Sequence, residues 1–239
     1  MKKGYQVALL VLVVLLIDQA TKFYIKTTFE YNSEVLIFGQ EWARLHFVEN
    51  EGMAFGMTLD WEYGKLTLSL FRILMVAGLI FWIKTLIEEK MPAGFIMSVG
   101  LITAGALGNI IDSVVYGMIF SASPYHGGLA EVVPWGTGYA SLLHGKVVDM
   151  FYFPIHTWEL PDGDTFTFFS PIFNVADAAI TTGVLSILIF QRRFFRDSTE
   201  SKTAQTPAST EAFSNSDTPA AESDIAESQE SDQSDAGKF

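Results

Sequence analysis

The feature that most constrains this chain is its last long apolar run, Pro171 to Gln191, because an aspartate lies inside it. At about 1.5 Å per residue, a run of that length crosses a bilayer as a helix. Asp177 sits six residues in from the start, with Asn174 one turn before it. An ionisable group within a span is expensive unless something compensates it, so it marks a functional site by default. A second carboxylate is available just upstream, Asp149 in Val147-Val148-Asp149-Met150-Phe151. Two carboxylates in a partly dry site cannot both ionise easily. One retains a proton, and such a pair can activate a water while protonating a carbonyl.

Three further apolar runs make this an all-α membrane protein, with four transmembrane helices at about 5–25, 66–87, 93–120 and 171–191. The basic start and first run could instead be a cleaved signal peptide. Asp18 and Lys22 argue against that, because they stand four apart on one helix face with the acid first. Between the spans, Glu34–Phe38 and Ala43–Val48 read as short strands of a small extramembrane β-sheet, followed by the Gly-punctuated loop Asn50 to Gly56. Gly100, Ala104 and Gly108 come four apart on the third span, the spacing that lets a neighbouring helix approach. A hairpin-like stretch surrounds Pro161-Asp162-Gly163-Asp164.

The net charge of −12 belongs mostly to the end of the chain. Residues 197–239 hold ten acidic residues against two lysines and almost no aliphatic side chains, so they are expected to form a disordered acidic tail after a membrane domain of residues 1–196. No basic patch suggests nucleic acid. The chain has no cysteine, which excludes disulfides and thiolate metal sites. His46, His126, His144 and His156 show no close metal-ligand spacing, so no metal or cofactor is expected.

Lys2, Lys3, Lys84, Lys90, Arg192, Arg193 and Arg196 all lie in short flanks of the spans. The positive-inside rule therefore places both termini in the cytoplasm, with loops 26–65 and 121–170 outside. In that topology Asp18, Arg72, Asp112 and Asp177 fall at one level, roughly 9–12 Å below the outer boundary. Lys22 alone reads more simply as a snorkelling side chain. By depth, Asp112 is a better partner for Asp177 than Asp149 is. A small proton-coupled transporter is the alternative reading, and it would call for acids distributed through the membrane or for inverted repeats.

Five motifs in order resemble the lipoprotein signal peptidase (signal peptidase II) family. They are Asp18-Gln-Ala-Thr-Lys22, Asn50-Glu-Gly-Met-Ala-Phe55, Gly105-Ala-Leu-Gly-Asn109-Ile-Ile-Asp112, Val147-Val-Asp149-Met-Phe151 and Phe173-Asn174-Val-Ala-Asp177. The resemblance implies an aspartic endopeptidase of the bacterial inner membrane. It would cut the signal peptide from diacylglyceryl-modified prolipoproteins before the lipidated cysteine. Asp149 and Asp177 would be the catalytic pair. Asn109 and Asn174 would orient them or bind substrate backbone, and Asp18, Lys22 and Asn50 would be structural or substrate-contacting. The partners implied are lipid-modified prolipoproteins and membrane lipids, with the enzyme acting as a monomer near the outer face.

Two departures from the family pattern stand out. Ser113 occupies the place where the family carries Arg after Asp112, and Arg72 is expected to supply that charge to Asp112. The segment 118–146 replaces a short turn and is read as a lid, a partner contact or a passive insertion, its aromatic and Gly content favouring an interfacial loop.

Overall fold

The computed structural model describes residues 2–51, 63–160 and 164–203, with side chains up to residue 194. Residues 52–56 of the Gly-punctuated loop, the hairpin tip 161–163 and the tail from 204 onward lie outside the described residues. Helix α1 runs Lys3–Thr28, α2 Gly64–Glu88, α3 Ala93–Ile111, and α5 Val175–Thr203. All four are long and apolar enough to cross a membrane; in the third case the span continues to Ile119. It passes through a π-helical turn, Asp112–Tyr116, and the short helix α4, Gly117–Ile119. A π turn frees backbone carbonyls from their usual donors and is common at functional sites. Here Ser113 Oγ donates to the Asn109 carbonyl at 3.0 Å and takes up part of that deficit.

The turn between α2 and α3 shows how sequence stops a helix. Lys90 adopts φ +59, its N–H reaching the Ile87 carbonyl, while the Met91 N–H reaches Leu86. That is a Schellman ending, and Pro92 then starts the next helix. Lys3 Nζ donates to the Met91 carbonyl at 2.6 Å, so the N-terminus stands at the same end as this turn. Phe194, late in α5, packs on Phe95 near the start of α3, which brings the end of α5 there too. The basic flanks therefore gather at one end of the bundle. The cluster of Val7, Ile83, Leu86, Phe95, Ile96, Val99 and Phe194 fills that end.

Strands build the other end. β1 (Glu34–Ile37), β2 (Gln40–Asn50), β3 (Val147–Tyr152) and β6 (Ile172–Phe173) form one antiparallel sheet in the order β1-β2-β3-β6. A separate ribbon pairs β4 (His156–Glu159) with β5 (Thr165–Phe168). The strand content thus exceeds what an all-α description covers, because the long connections pair with one another to satisfy their own backbone. A second core, Ile25, Phe47, Tyr116, Phe120, Val148 and Met150, lies under the sheet.

Two expectations change. The fourth helix begins at Val175, four residues later than Pro171, because Ile172 and Phe173 pair with Tyr152 and Phe151 as a strand. At its far end α5 continues to Thr203, past the expected start of the tail. Segment 118–146 folds back on itself through a Phe120–Val132 bridge and packs on α1 and β2. Lys26 lies fully buried beneath it, ion-paired to Glu49 and hydrogen-bonded to Ser123 Oγ at 3.1 Å. The Phe120 and Tyr139 rings flank its ammonium at 5.4 and 5.0 Å. An unpaired charge there would be costly, and Glu49 supplies its counter-ion while Ser123 of this segment adds a hydrogen bond.

Candidate active site

The β3–β6 pairing determines which carboxylates meet. β6 sets the chain beside Asp149's strand, with Phe151 opposite Phe173, and the next residue is Asn174. Asn174 is fully buried and precedes the first turn of α5. Its Oδ1 accepts from the Asp177 N–H at 2.9 Å, while its own N–H donates to Asp177 Oδ2 at 3.2 Å. This is a reciprocal capping box written with Asn and Asp, and it satisfies two orphan donors of the helix start. It also holds the Asp177 carboxylate at the helix terminus, where the helix dipole favours a negative charge. A third N–H, that of Ala176, donates to Asp18 Oδ1 at 2.9 Å.

The amide of Asn174 turns the other way. Its Nδ2 donates to Asp149 Oδ1 at 2.6 Å and lies within 3.1 Å of Asn109 Oδ1. Asn109 Nδ2 in turn donates to Asp177 Oδ1 at 2.8 Å. Asn50 Nδ2, at the end of β2, approaches Asp149 Oδ2 at 3.3 Å. Asp149 and Asp177 are thus linked through two asparagines. Their environments differ, Asp149 being only 3% exposed and Asp177 half-buried. Burial, with the Asp177 charge beside it, pushes the Asp149 carboxyl up to about 7, against the amide hydrogen bonds of Asn50 and Asn174 that favour its ionised form.

Beneath this pair lies a buried ionic layer. Lys22 Nζ sits 3.0 Å from Asp18 Oδ2, 2.9 Å from Asp112 Oδ2 and 2.8 Å from Asn109 Oδ1. Lys22 is 0% exposed, so the snorkelling reading fails. It fixes the Asn109 amide oxygen toward itself, which leaves the amide nitrogen facing Asp177. Gln19 Nε2 bridges Asp112 Oδ1 at 2.9 Å and Asp18 Oδ2 at 3.1 Å, and Tyr116 Oη donates to Gln19 Oε1 at 3.2 Å. Asp112 Oδ2 also accepts the Val148 N–H at 3.3 Å, which pins β3 one residue before Asp149. Depth favoured Asp112 as the partner of Asp177; its lone pairs are instead taken by Lys22, Gln19 and β3.

Arg72 corrects a second expectation. Its guanidinium lies 3.5 Å from Ser113 Oγ, next to the position where the resemblance led us to expect Arg. The counter-ion of Asp112 is instead Lys22, 2.9 Å away. Gly108 allows the layers to close: a Cβ there would stand 2.5 Å from Asp18 Oδ2 and 3.1 Å from Ala176 Cβ. Gly100 does the same toward α1, where a Cβ would meet Val7 Cγ2 at 2.5 Å.

Sequence reasoning missed Gln19, Tyr116, Lys26 and Glu49. The spacing Asp18–Lys22–Lys26 on one helix face could have flagged Lys26, since two lysines one turn apart inside a span need buried anions. Among the described residues, no group of three or more His, Asp or Glu could hold a metal ion.

The sequence model of the family described as Signal peptidase (SPase) II matches residues 10–193. A lipoprotein signal peptidase of Porphyromonas gingivalis is 41% identical over 199 residues, covering 78% of this chain and 83% of that protein. One from Amoebophilus asiaticus is 32% identical over 201 residues, covering 80% and 78%. A bacterial membrane enzyme solved by the in meso method at 2.3 Å has a similar fold, with a TM-score of 0.54 and 22% identity over 86% of this chain and 94% of that one. A second such enzyme, at 1.9 Å, superposes with a TM-score of 0.51 and 24% identity over 77% and 90%.

Proposed function

This chain belongs to the signal peptidase II family, and we propose that it removes signal peptides from diacylglyceryl-modified prolipoproteins as an aspartic endopeptidase, with Asp149 and Asp177 as its catalytic pair. The observation that carries the proposal is the single buried asparagine, Asn174, hydrogen-bonded to both carboxylates. A proton-coupled transporter has no comparable support.

The two environments assign the roles. Asp149, raised to about 7 by burial and by the neighbouring charge, holds the proton. Asp177, held at the helix N-terminus by the Asn174 cap, is assigned the role of base. Asp177 takes a proton from a water, whose oxygen attacks the scissile carbonyl, as Asp149 protonates the carbonyl oxygen. The resulting gem-diol collapses. Asp177 gives its proton to the departing amine, and Asp149 recovers one from a diol hydroxyl. Asn109, Asn174 and Asn50 hold the carboxylates, and Lys22 with Asp18 and Asp112 braces the asparagines from below.

The basic residues at one end of the bundle support a position in the bacterial inner membrane with both termini cytoplasmic and the site near the outer face. There a substrate can arrive laterally with its acyl chains still in lipid. The test is cleavage of a diacylglyceryl-modified precursor by purified wild type, Asp149→Asn and Asp177→Asn. Both substitutions are expected to abolish cleavage, and turnover surviving in either overturns the assignment.

A further inference from the structure

The ribbon formed by β4 and β5 takes no part in the site. In its register His156 faces Phe168, Thr157 faces Thr167, Trp158 faces Phe166 and Glu159 faces Thr165. Residues opposite each other or two apart share a face of a strand pair. One face therefore carries His156, Trp158, Phe166 and Phe168, and the other Thr157, Thr167, Glu159 and Thr165. The aromatic face is ordered: Trp158 stacks on Phe166 at 5.6 Å and meets the His156 ring at 4.4 Å. The polar face is closed by a Thr157–Thr167 hydroxyl hydrogen bond at 3.1 Å. Yet Trp158, Phe166 and Phe168 remain 46%, 54% and 52% exposed. An isolated two-stranded ribbon is at best marginally stable in water, so a one-sided aromatic face needs a covering partner.

Position in the chain points to the partner. From Phe168 to Asn174, where α5 begins, the chain spans at most about 21 Å fully extended. Along that connection Phe169, which follows Phe168 in the chain, lies 6.1 Å from Phe173, and Phe153 lies 5.6 Å from Phe173. The ribbon is thus tethered close to the head of a helix long and apolar enough to cross a membrane, and amphipathic rings accumulate at the interface where such helices emerge.

We propose that the β4–β5 ribbon is a membrane-interface anchor, its His156, Trp158, Phe166 and Phe168 face lying on the lipid headgroup and acyl boundary and its Thr/Glu face turned to water. The inference rests on the membrane embedding proposed above and on nothing in the catalytic assignment. Bound in this way, the ribbon fixes the height of β3 and β6, and so of Asp149 and Asn174, against the lipid surface.

The cysteine-free chain makes the test direct. Nitroxide labels are placed at Phe166→Cys, Thr167→Cys and Leu188→Cys in the full-length enzyme, reconstituted in phosphatidylcholine/phosphatidylglycerol vesicles. Collision with oxygen and with a water-soluble nickel chelate is then measured. The expected result is an oxygen-to-nickel ratio several-fold higher at 166 than at 167. Equal water exposure at both positions overturns the proposal. So does a label at 166 shielded from both reagents, which would mean that protein covers the face. Leu188, 57% exposed on α5, is the reference: a lipid-like ratio there with a water-like one at 166 defeats the anchor alone, whereas a water-like ratio at 188 defeats the membrane embedding itself. Because a cysteine at 166 could disturb the ribbon, emission quenching by brominated phosphatidylcholine is compared between the unlabelled wild type and Trp158→Phe. Loss of a lipid-quenched component in the variant supports the anchor, and an unchanged quenched fraction overturns it.

Discussion

Replacing Asp149 by Asn should shift stability progressively in the variant's favour as the pH rises. In the folded state the Asp149 carboxyl is pushed up to about 7 from an ordinary value of 3.8. Between those values the folded state holds a proton that the unfolded state has lost. Stability therefore falls with rising pH across that window, at about 1.4 kcal/mol per unit, and levels off once the folded carboxyl also ionises. From pH 5 to pH 8 the loss is about 3 kcal/mol. An asparagine keeps the shape and does not titrate. It brings a separate cost, because Asn174 and Asn50 both aim donors at this side chain and an amide offers only one oxygen. That mismatch, about 1–3 kcal/mol, does not depend on pH. The informative quantity is thus the difference between pH values rather than the gain at either one. Thermal unfolding in detergent micelles, followed by circular dichroism, should show the Tm of Asp149→Asn relative to wild type rising by about 6–12 °C between pH 5 and pH 8. An offset unchanged over that range, or one larger at pH 5, refutes the reasoning.

Cleavage of a lipid-modified precursor should decline in kcat/KM above about pH 7, as Asp149 loses the proton it must donate; a rate flat to pH 9 would exclude it as the acid. Lys22→Met strands Asp18 and Asp112 without a counter-ion and should destabilise by about 3–5 kcal/mol, read as a collapse in Tm or in folded yield. Gly108→Ala drives a methyl into Asp18 and Ala176 and should separate α3 from α5, with cleavage lost in proportion to the fall in Tm. Glu49→Gln leaves Lys26 buried and unpaired at a cost of about 3–5 kcal/mol, and the double change with Lys26→Met should recover most of it by thermal unfolding.

The helices were legible because a bilayer demands about 20 apolar residues in one run, and that signal survives errors at the ends. Helix starts were less so. Pro171 to Asn174 looks like the head of a span, but its pairing with β3 depends on a strand some twenty residues away that local composition does not reveal. Within the site, Asp177 was legible as a charge in an apolar run, whereas Asp149 lies in an ordinary strand sequence and needed the family resemblance. The inferred common level of Asp18, Arg72, Asp112 and Asp177 pointed to one polar cluster, and Asp18 and Asp112 do meet at Lys22, but it gave Asp112 the wrong partners. Depth ranks groups along the membrane normal and says nothing of their rotation about each helix, which decides that Lys22 faces Asp112 while Arg72 faces Ser113.

The head of α5 has a consequence for the life of the protein in its membrane. The hydrogen bonds that terminate this helix are the same ones that aim Asp177, and one more comes from Asp18 on the first helix. A chain whose last helix has not docked against its first lacks that third bond, and the Ala176 N–H loses its acceptor. Docking of the first helix on the last and completion of the last helix's own start are therefore a single event.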